Sequence, residues 1–243
     1  MSELHISISA QPIFNVYGYE VTNSMLVTVL VSFFLVGLSL AGKRWFKRSQ
    51  KPRWVLFMQT LVESFYEFVM SITPQHAAKF FPLVATIFLF VLFGSWAGLL
   101  PGAESIGLKT THGFVPLLRG ATADINTTLA LAIFAIVSVQ IFGYKHRGIR
   151  YFKKFLDFSN PINLFVGFLE LISEFSRMIS FAFRLFGNIF AGEVLLASMA
   201  AILAFGIPIP FMFLEIVVGL IQALIFAMLI LVYLTIHTSV EEH

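Results

Sequence analysis

The sequence contains no cysteine among its 243 residues, which excludes disulfide bonds, thiol catalysis and cysteine-ligated metal sites. Charge is scarce as well, because Asp, Glu, Lys and Arg together make up 12% of the chain, about half of what a soluble domain carries. The sequence has no glycine-rich phosphate loop of the P-loop type, so we expect no nucleotide site of that kind. It also has no internal repeat, which argues against a transporter built from inverted repeats.

Apolar residues are present in excess. Hydrophobic residues account for 58% of the sequence, 29 residues are phenylalanine, and the mean hydropathy is +0.88. A water-soluble fold of this length cannot bury so much apolar surface, so lipid must cover a large part of it. The net charge of +3 reflects Lys and Arg in loops, where membrane proteins use them for orientation. We therefore expect a membrane protein that binds no nucleic acid.

Three apolar runs, at 22–41, 80–100 and 125–142, are each long enough to span a hydrocarbon core of roughly 30 Å. Basic clusters at 43–53 and 145–154 follow the first and the third run. Because Lys and Arg concentrate on the cytoplasmic side, both clusters predict an N-terminus outside and a C-terminus in the cytoplasm. No basic segment precedes the first run, so cleavage of a signal peptide is not expected.

Residues 54–73 show a different pattern. Apolar residues recur there at helical spacing, with Gln59, Glu63 and Glu67 among them. This pattern predicts an amphipathic helix that lies on the membrane surface. The alternative is a short buried helix.

The last two apolar segments, 162–205 and 211–238, are separated by a predicted turn at 206–210, which holds one glycine and two prolines. As helices they would be about 66 Å and about 42 Å long, too long to stand upright in the hydrocarbon. The sequence thus predicts an all-α membrane protein, a single integral membrane domain over 1–243. It would have five transmembrane helices and one amphipathic surface helix, and its last two helices would form a long tilted hairpin suited to a curved partner.

These two segments also hold the residues that are costly in a membrane. They are Glu170, Glu174, Arg177, Arg184, Glu193 and Glu215. Insertion scales give about 2.5 to 3.5 kcal/mol per charge at mid-membrane, so Arg184, Glu193 and Glu215 together cost on the order of 8 to 10 kcal/mol. A cost of that size calls for a functional return or for a compensating ion pair.

Helical spacing separates these groups. At about 100° per residue, four polar residues share one face of the first long helix: Glu170, Arg177, Arg184 and Asn188. Glu193 falls on about the opposite face, and Glu215 shares a face of the last helix with Gln222. A fixed arginine charge with separated titratable acids is consistent with an ion path. The alternative is an intramembrane Arg–Glu pair that only holds helices together.

Three short segments carry a resemblance to a known family. Residues 183–193 read FRLFGNIFAGE, residues 122–128 read TADINTT, and residues 222–226 read QALIF. Together with Asn160-Pro161 and Glu170, they resemble subunit a of the F-type ATP synthase, the ATPase subunit 6 family of the membrane Fo sector. The resemblance covers most of the chain after about residue 80, and its arginine motif is long and specific.

The resemblance implies a stator subunit of a multisubunit rotary ATP synthase. Such a subunit lies beside a ring of c subunits, with peripheral-stalk subunit b and membrane lipids as further partners. It provides two offset half-channels through which ions reach and leave the ring. The translocated ion would be the proton, with sodium as the alternative. The chain would be non-catalytic by itself, because ATP chemistry occurs on other subunits.

The resemblance also implies residue roles. Arg184 would release the proton from each arriving ring carboxylate and block a direct short circuit between the half-channels. Glu193 and Glu215 would line the outer half-channel, with Asn188 and Gln222 as polar neighbours. Glu170 would belong to the inner half-channel. The family often has histidine at one of the two outer acid positions, and this chain has Glu at both.

Other polar residues are weaker candidates. Asp124, Asn126 and Arg177 are possible members of the path, but Asp124 alternatively caps the third span and Arg177 alternatively pairs with Glu174 three residues earlier. The six histidines show no metal-ligand spacing, so we expect no metal and no cofactor: His5, His76, His112, His146, His237 and His243.

Two other classes of protein remain as alternatives. An intramembrane enzyme would need a nucleophile with a base or a metal cluster, and the sequence shows neither. A stand-alone ion carrier is disfavoured by the lack of repeats. The expected location is a bacterial cell inner membrane, because no transit peptide is visible, with an organelle inner membrane as the alternative.

Overall fold

The computed structural model describes residues 10–16, 19–46, 52–100, 107–110, 113–116, 119–155, 160–202 and 208–238. Most of these residues lie in six long helices: α1 (Asn23–Phe46), α2 (Arg53–Ile72), α3 (Ala77–Trp96), α4 (Ile125–Arg147), α5 (Pro161–Ile202) and α6 (Pro208–Thr238). All six are long and apolar enough to cross a membrane, by length and composition. The prediction of a helical membrane protein is confirmed.

Helix α2 is the element whose relation to the membrane stays a prediction. Its length and composition qualify it as a sixth spanning helix. Only Val55 and Val69 of α2 are buried in this chain, so the alternative of a short buried helix is not supported. The helix packs on α3 through aromatic contacts, including a stack of Phe65 on Phe88 with 4.9 Å between the ring centroids.

Four short strands form two antiparallel hairpins outside the long helices. Strands β1 (Pro12–Val16) and β2 (Tyr19–Thr22) pair before α1, and β3 (Gly107–Thr110) pairs with β4 (Gly113–Pro116) between α3 and α4. The all-α prediction is incomplete in this respect. Segments of four or five residues have too little periodicity to be recognised, yet pairing satisfies their backbone hydrogen bonds.

Four helices build the core. Helix α6 packs against α3, α4 and α5, and α4 packs against α5. The buried side chains mix bulky residues such as Phe80 and Phe226 with Ala182, Ala223 and Ala227. Small residues let helices approach closely where lipid supplies no hydrophobic force between them. The closely packed helices hold the polar groups of α5 and α6 in fixed positions.

Prolines mark the starts of the two long helices. Helix α5 begins at Pro161, so the helix start predicted at Asn160-Pro161 is confirmed. Helix α6 begins at Pro208, inside the predicted turn at 206–210. Proline is tolerated in a first turn because the amide groups there have no carbonyl partner within the helix. Residues 203–207 lie outside the part of the chain that the structure describes.

Candidate functional site

Arg184 lies on the exposed surface of α5. Its Nη2 donates a hydrogen bond to Ser180 Oγ at 3.4 Å, and its guanidinium carbon lies 6.0 Å from the centroid of the Phe181 ring. None of the ion pairs among the described residues includes Arg184. Because a guanidinium stays protonated, this side chain is a fixed positive charge that faces away from the chain's own acids.

One turn further along α5, a polar contact joins this surface to the interior. Asn188 is exposed, and its Nδ2 donates a hydrogen bond of 2.6 Å to Oε1 of Gln222 on α6. Gln222 is buried, and its Nε2 has no hydrogen-bond partner. A buried donor without an acceptor is costly, so this amide is available to a further polar group. The predicted shared site of Asn188 and Gln222 is a direct contact.

Glu215 lies deeper between α5 and α6. It is 6% exposed, and its Oε1 is buried without a hydrogen-bond partner. Its carboxyl group lies directly against Gly192 of α5, where an added Cβ would overlap it. The carboxyl group thus occupies space that the glycine at 192 leaves free, and its unsatisfied oxygen can accept a proton.

Glu193, which follows Gly192 on α5, lies near the Glu215 carboxyl group. Its Oε2 lies 3.3 Å from both Nε and Nη2 of Arg119, which precedes α4. Glu193 and Glu215 both line a cavity of about 20 Å³, together with Ser95, Gly120 and Leu196. A cavity of this size is enough for about one water molecule. The two acids that share the predicted outer half-channel thus lie on one small cavity.

A second polar group lies near the start of α5 and the end of α6. Glu174 Oε1 accepts a hydrogen bond of 2.9 Å from Nη1 of Arg177, which confirms the local pair three residues apart. Arg177 Nη2 also lies 3.9 Å from Glu170 Oε1. From α6, His237 Nε2 approaches Glu174 Oε1 to 2.9 Å. The guanidinium of Arg177 lies over the ring of Tyr233, 4.9 Å from its centroid.

Tyr151, in the 3-10 turn Gly148–Lys154 that follows α4, closes this second group. Its ring centroid lies 6.1 Å from that of His237, and its hydroxyl donates a hydrogen bond to Gln140 Oε1. Burial first, and the carboxylate of Glu174 second, raise the pKa of Tyr151 above its ordinary value. Tyr151 therefore stays neutral and adds no charge to the group.

Asp124 and Asn126 occupy a different place from the acids of α5 and α6. Asp124 caps α4, because its Oδ1 accepts a hydrogen bond of 3.2 Å from the backbone amide of Asn126. Its Oδ2 accepts one of 3.0 Å from Ser24 Oγ, which ties α4 to α1. The capping alternative is confirmed.

Sequence analysis missed four members of these groups, Arg119, Tyr151, Tyr233 and His237. Arg119 is an isolated basic residue in a loop with few charges, and His237 is one of several histidines near helix ends. The charged partners of these two are distant in sequence: Glu193 is 74 positions from Arg119, and Glu174 is 63 positions from His237. Helical spacing reports which residues of one helix share a face, so it gives no information on such pairs.

The three parts lie in order along α5. Glu174 precedes Arg184 by ten positions, about 15 Å along the helix axis, and Glu193 follows it by nine, about 13 Å. One exposed fixed cation therefore lies between two separate groups of acids, neither of which it pairs with.

Comparison with known proteins identifies the family. The sequence profile described as ATP synthase A chain matches residues 23–235. The chain belongs to this family. Relatives described as ATP synthase subunit a support the assignment. The subunit of Gloeobacter violaceus is 36% identical over 225 residues, covering 90% of this chain and 84% of the relative. The Legionella pneumophila subunit is 32% identical over 223 residues, covering 91% and 88%.

The same ATP synthase A chain family also includes a relative described as ATP synthase subunit a 2 from Picosynechococcus. It is 32% identical over 233 residues, which cover 95% of this chain and 92% of the relative. The matched part of the chain includes all three groups of polar residues on α5 and α6, except for the last turn of α6 with His237.

Proposed function

We propose that this chain is the stator subunit of a rotary ATP synthase and provides two offset half-channels for protons. The observation that carries the proposal is the exposed guanidinium of Arg184 between two separate groups of acids. Each half-channel would cross part of the membrane and end on the surface that carries Arg184. A proton would enter by one, ride on a carboxylate of the rotating c-ring, and leave by the other.

Glu193 and Glu215 would form the outer half-channel. Their shared cavity and the unsatisfied oxygen of Glu215 provide a place for a proton inside the bundle. Gln222 follows Glu215 by seven positions on α6, about two helical turns, and its contact with Asn188 reaches the exposed face of α5. We propose that these side chains connect the buried acid to the face that the ring would cover.

Glu170 would belong to the inner half-channel, with Arg177 beside it. Their end of the bundle includes the 3-10 turn after α4, and this turn lies in the basic segment that predicts the cytoplasmic side. The side chains of Glu170 and Arg177 are each 27% exposed in this chain, so an aqueous half-channel could reach them.

Arg184 would control the passage between the half-channels. A permanent positive charge repels a proton, so protons could not cross directly from one acid group to the other. The same charge stabilises the ionised form of a nearby carboxyl group, which would make an arriving ring carboxyl release its proton. An added Cβ at Gly187 would meet nothing within 4 Å in this chain, so its glycine suits the close approach of a partner helix.

The family implies a multisubunit complex. We propose the c-ring, peripheral-stalk subunit b and lipids as the partners, with the proton as the translocated ion. The location would be a bacterial cell inner membrane, with the N-terminus outside, the C-terminus in the cytoplasm and α2 at the surface. Helices α5 and α6 would lie as a tilted hairpin against the ring, because α5 has 42 residues and would be about 63 Å long.

The test is the variant Arg184→Ala in the whole complex. We expect proton-driven ATP synthesis to be abolished while the complex still assembles, since the exposed side chain makes few contacts of its own. Synthesis is measured in energised membrane vesicles, and assembly by the amount of membrane-bound ATPase. Arg44→Ala, at an exposed position near the end of α1, is the matched control and should leave synthesis unchanged. Retained synthesis in Arg184→Ala would refute the proposal.

A further inference from the structure

We propose that Glu174 and His237 share one exchangeable proton and form the relay that passes protons between the cytoplasm and the inner half-channel. This inference rests on the proposed function and deepens it, because the resemblance implies only Glu170 for the inner side. It arises from the hydrogen bonds of the His237 ring and from the charged side chains around it.

A neutral imidazole cannot by itself make both hydrogen bonds of the His237 ring. Its Nδ1 lies 2.8 Å from the backbone oxygen of Tyr233, and its Nε2 lies 2.9 Å from Glu174 Oε1. A carbonyl oxygen only accepts, so Nδ1 carries a hydrogen. Neutral imidazole has a single N–H, which leaves Nε2 without one. The contact between Nε2 and the carboxyl oxygen therefore needs one further proton.

That proton can sit on either partner. In one form the ring is an imidazolium that donates to the carboxylate of Glu174, and in the other a neutral carboxylic acid donates to bare Nε2. The two forms differ only in the position of one hydrogen along a contact of 2.9 Å. When the proton leaves, two acceptors face each other and the contact is lost. The contact therefore exists only while the two side chains hold one proton between them.

Charged groups of both signs surround the pair. Glu170 and Arg177 from α5, Tyr233 from α6 and Tyr151 from the turn after α4 lie beside it. Arg147, at the end of α4, adds a positive charge near Tyr151. The guanidinium of Arg177 stabilises the ionised form of Glu174, and the carboxylate of Glu170 stabilises an imidazolium at His237. Both charges of the ion-paired form are thus compensated, so the pair can hold its proton inside the bundle.

A divalent metal ion fits these residues less well. Oxygen and nitrogen atoms of Glu170, Glu174 and His237 do lie within 4.8 Å of one another. However, Glu174 Oε1 already contacts the guanidinium of Arg177 at 2.9 Å, so a metal ion would lie beside a fixed positive charge. The proton is the cation that these side chains accommodate.

The pair itself is buried, but the side chains on one side of it are partly exposed. Glu174 and His237 are 9% and 3% exposed, while the Glu170 and Arg177 side chains next to them are partly exposed. A proton taken up from the cytoplasmic side forms an O–H or N–H bond on the pair. That bond breaks when the proton moves inward toward the ring, and the pair can then take up another proton.

The experiment measures proton pumping by the whole complex in inverted membrane vesicles, whose outer face is the cytoplasmic face. The initial rate of ATP-driven proton uptake is divided by the ATPase rate and followed from about pH 6 to about pH 8.5 outside, across the range in which a histidine titrates. In the parent, the relay supplies protons over this range. Without it, entry depends directly on the external proton concentration and becomes limiting at high pH.

We expect Glu174→Gln and His237→Gln each to pump at a near-parental ratio at low pH and to lose about tenfold at high pH, a modest value for a positioned acid or base. The double variant should lose no more than either single variant, because the two residues hold one proton. Glu174→Asp, which retains a titratable group, should recover part of the loss. Glu63→Gln, on the exposed side of α2, is the matched control and should follow the parent.

Two outcomes would overturn the relay. One is a pumping ratio in both single variants that matches the control at every pH. The other is a loss that is equal at every pH and parallels a lower amount of assembled complex, as expected if the contact is only structural. Arg184→Ala separates the two proposals. If that variant stops coupled pumping but these variants do not, the relay is wrong and the function stands. If Arg184→Ala pumps normally, the function itself fails.

Discussion

The two groups of acids on either side of Arg184 differ in how their polar atoms are satisfied. In the group around Glu215, one carboxyl oxygen is buried without a partner and lies in the space that Gly192 leaves free. In the group around Glu174, the carboxyl oxygen contacts both a guanidinium and an imidazole at 2.9 Å. One site has a buried acceptor without a partner, and in the other the acceptor already contacts two donors.

This difference indicates two ways of handling a proton in one small membrane protein. An unsatisfied buried acceptor gains from taking up a proton and contributes little to holding the fold together. A cluster with bonded acceptors stabilises the contact between α5 and α6 and, in the proposed relay, also holds a proton, so its variants affect two properties. Variants that change proton flow without changing stability, or the reverse, therefore test whether the groups around Glu215 and Glu174 differ in this way.

The largest effect should come from removing both acids of the outer group. Glu193→Gln with Glu215→Gln keeps the size of both side chains but removes their ability to ionise. We expect ATP-driven proton pumping to fall about a hundredfold, the lower range for loss of positioned acids and bases, with nearly unchanged assembly. The double control Glu63→Gln with Glu67→Gln removes two exposed acids from α2. Pumping equal to this control would mean that the outer acids are structural.

A smaller effect, on stability, should come from filling the space beside Glu215. In Gly192→Ala the new Cβ overlaps the Glu215 carboxyl group, so that side chain or the helix must move. Overpacking of this kind costs about 1 to 3 kcal/mol. The measurement is the midpoint of thermal dissociation of the detergent-purified complex. Gly37→Ala on α1, where an added Cβ meets nothing within 4 Å, is the control.

If steric overlap causes the loss of stability in Gly192→Ala, a second substitution that removes the overlapping group should restore it. Combining Gly192→Ala with Glu215→Ala removes the carboxyl group that the new Cβ meets, so the midpoint should return toward that of Glu215→Ala alone. Additive losses in the double variant would contradict the steric explanation, because contacting residues are expected to interact energetically. The inner group offers no comparable site, since its contacts run between long side chains.

Much of the helical architecture follows from hydropathy, because long apolar runs leave few other structures in lipid. The start of α5 follows from Asn160-Pro161, and the local pair of Glu174 and Arg177 follows from helical spacing. The two β-hairpins do not follow, since strands of four or five residues carry too weak a pattern.

The candidate site was predictable within each helix but not between elements. Spacing along α5 separates Glu193 from Arg184, and the structure gives the two residues different neighbours. Spacing cannot bring Arg119 to Glu193 or His237 to Glu174, because those contacts depend on how a loop and the end of α6 pack on α5. Electrostatic partners set by tertiary packing require the structure.

The smallest effect should come from Tyr151, which closes the inner group. Tyr151→Phe removes the hydroxyl that donates to Gln140 and should cost about 1 kcal/mol, the usual net value of one hydrogen bond. The pKa of Tyr151 is raised in the folded protein. Above about pH 10, the ordinary pKa of tyrosine, the unfolded parent protein loses this proton while the folded one keeps it. The free energy of unfolding of the parent protein therefore falls as the pH rises through this range. The variant lacks this alkaline loss, so the two thermal midpoints should converge as pH rises from about 9 to about 11. Midpoints that stay parallel over this range would show that Tyr151 ionises as freely folded as unfolded. The inner group would then be more open to solvent than its counterpart around Glu215.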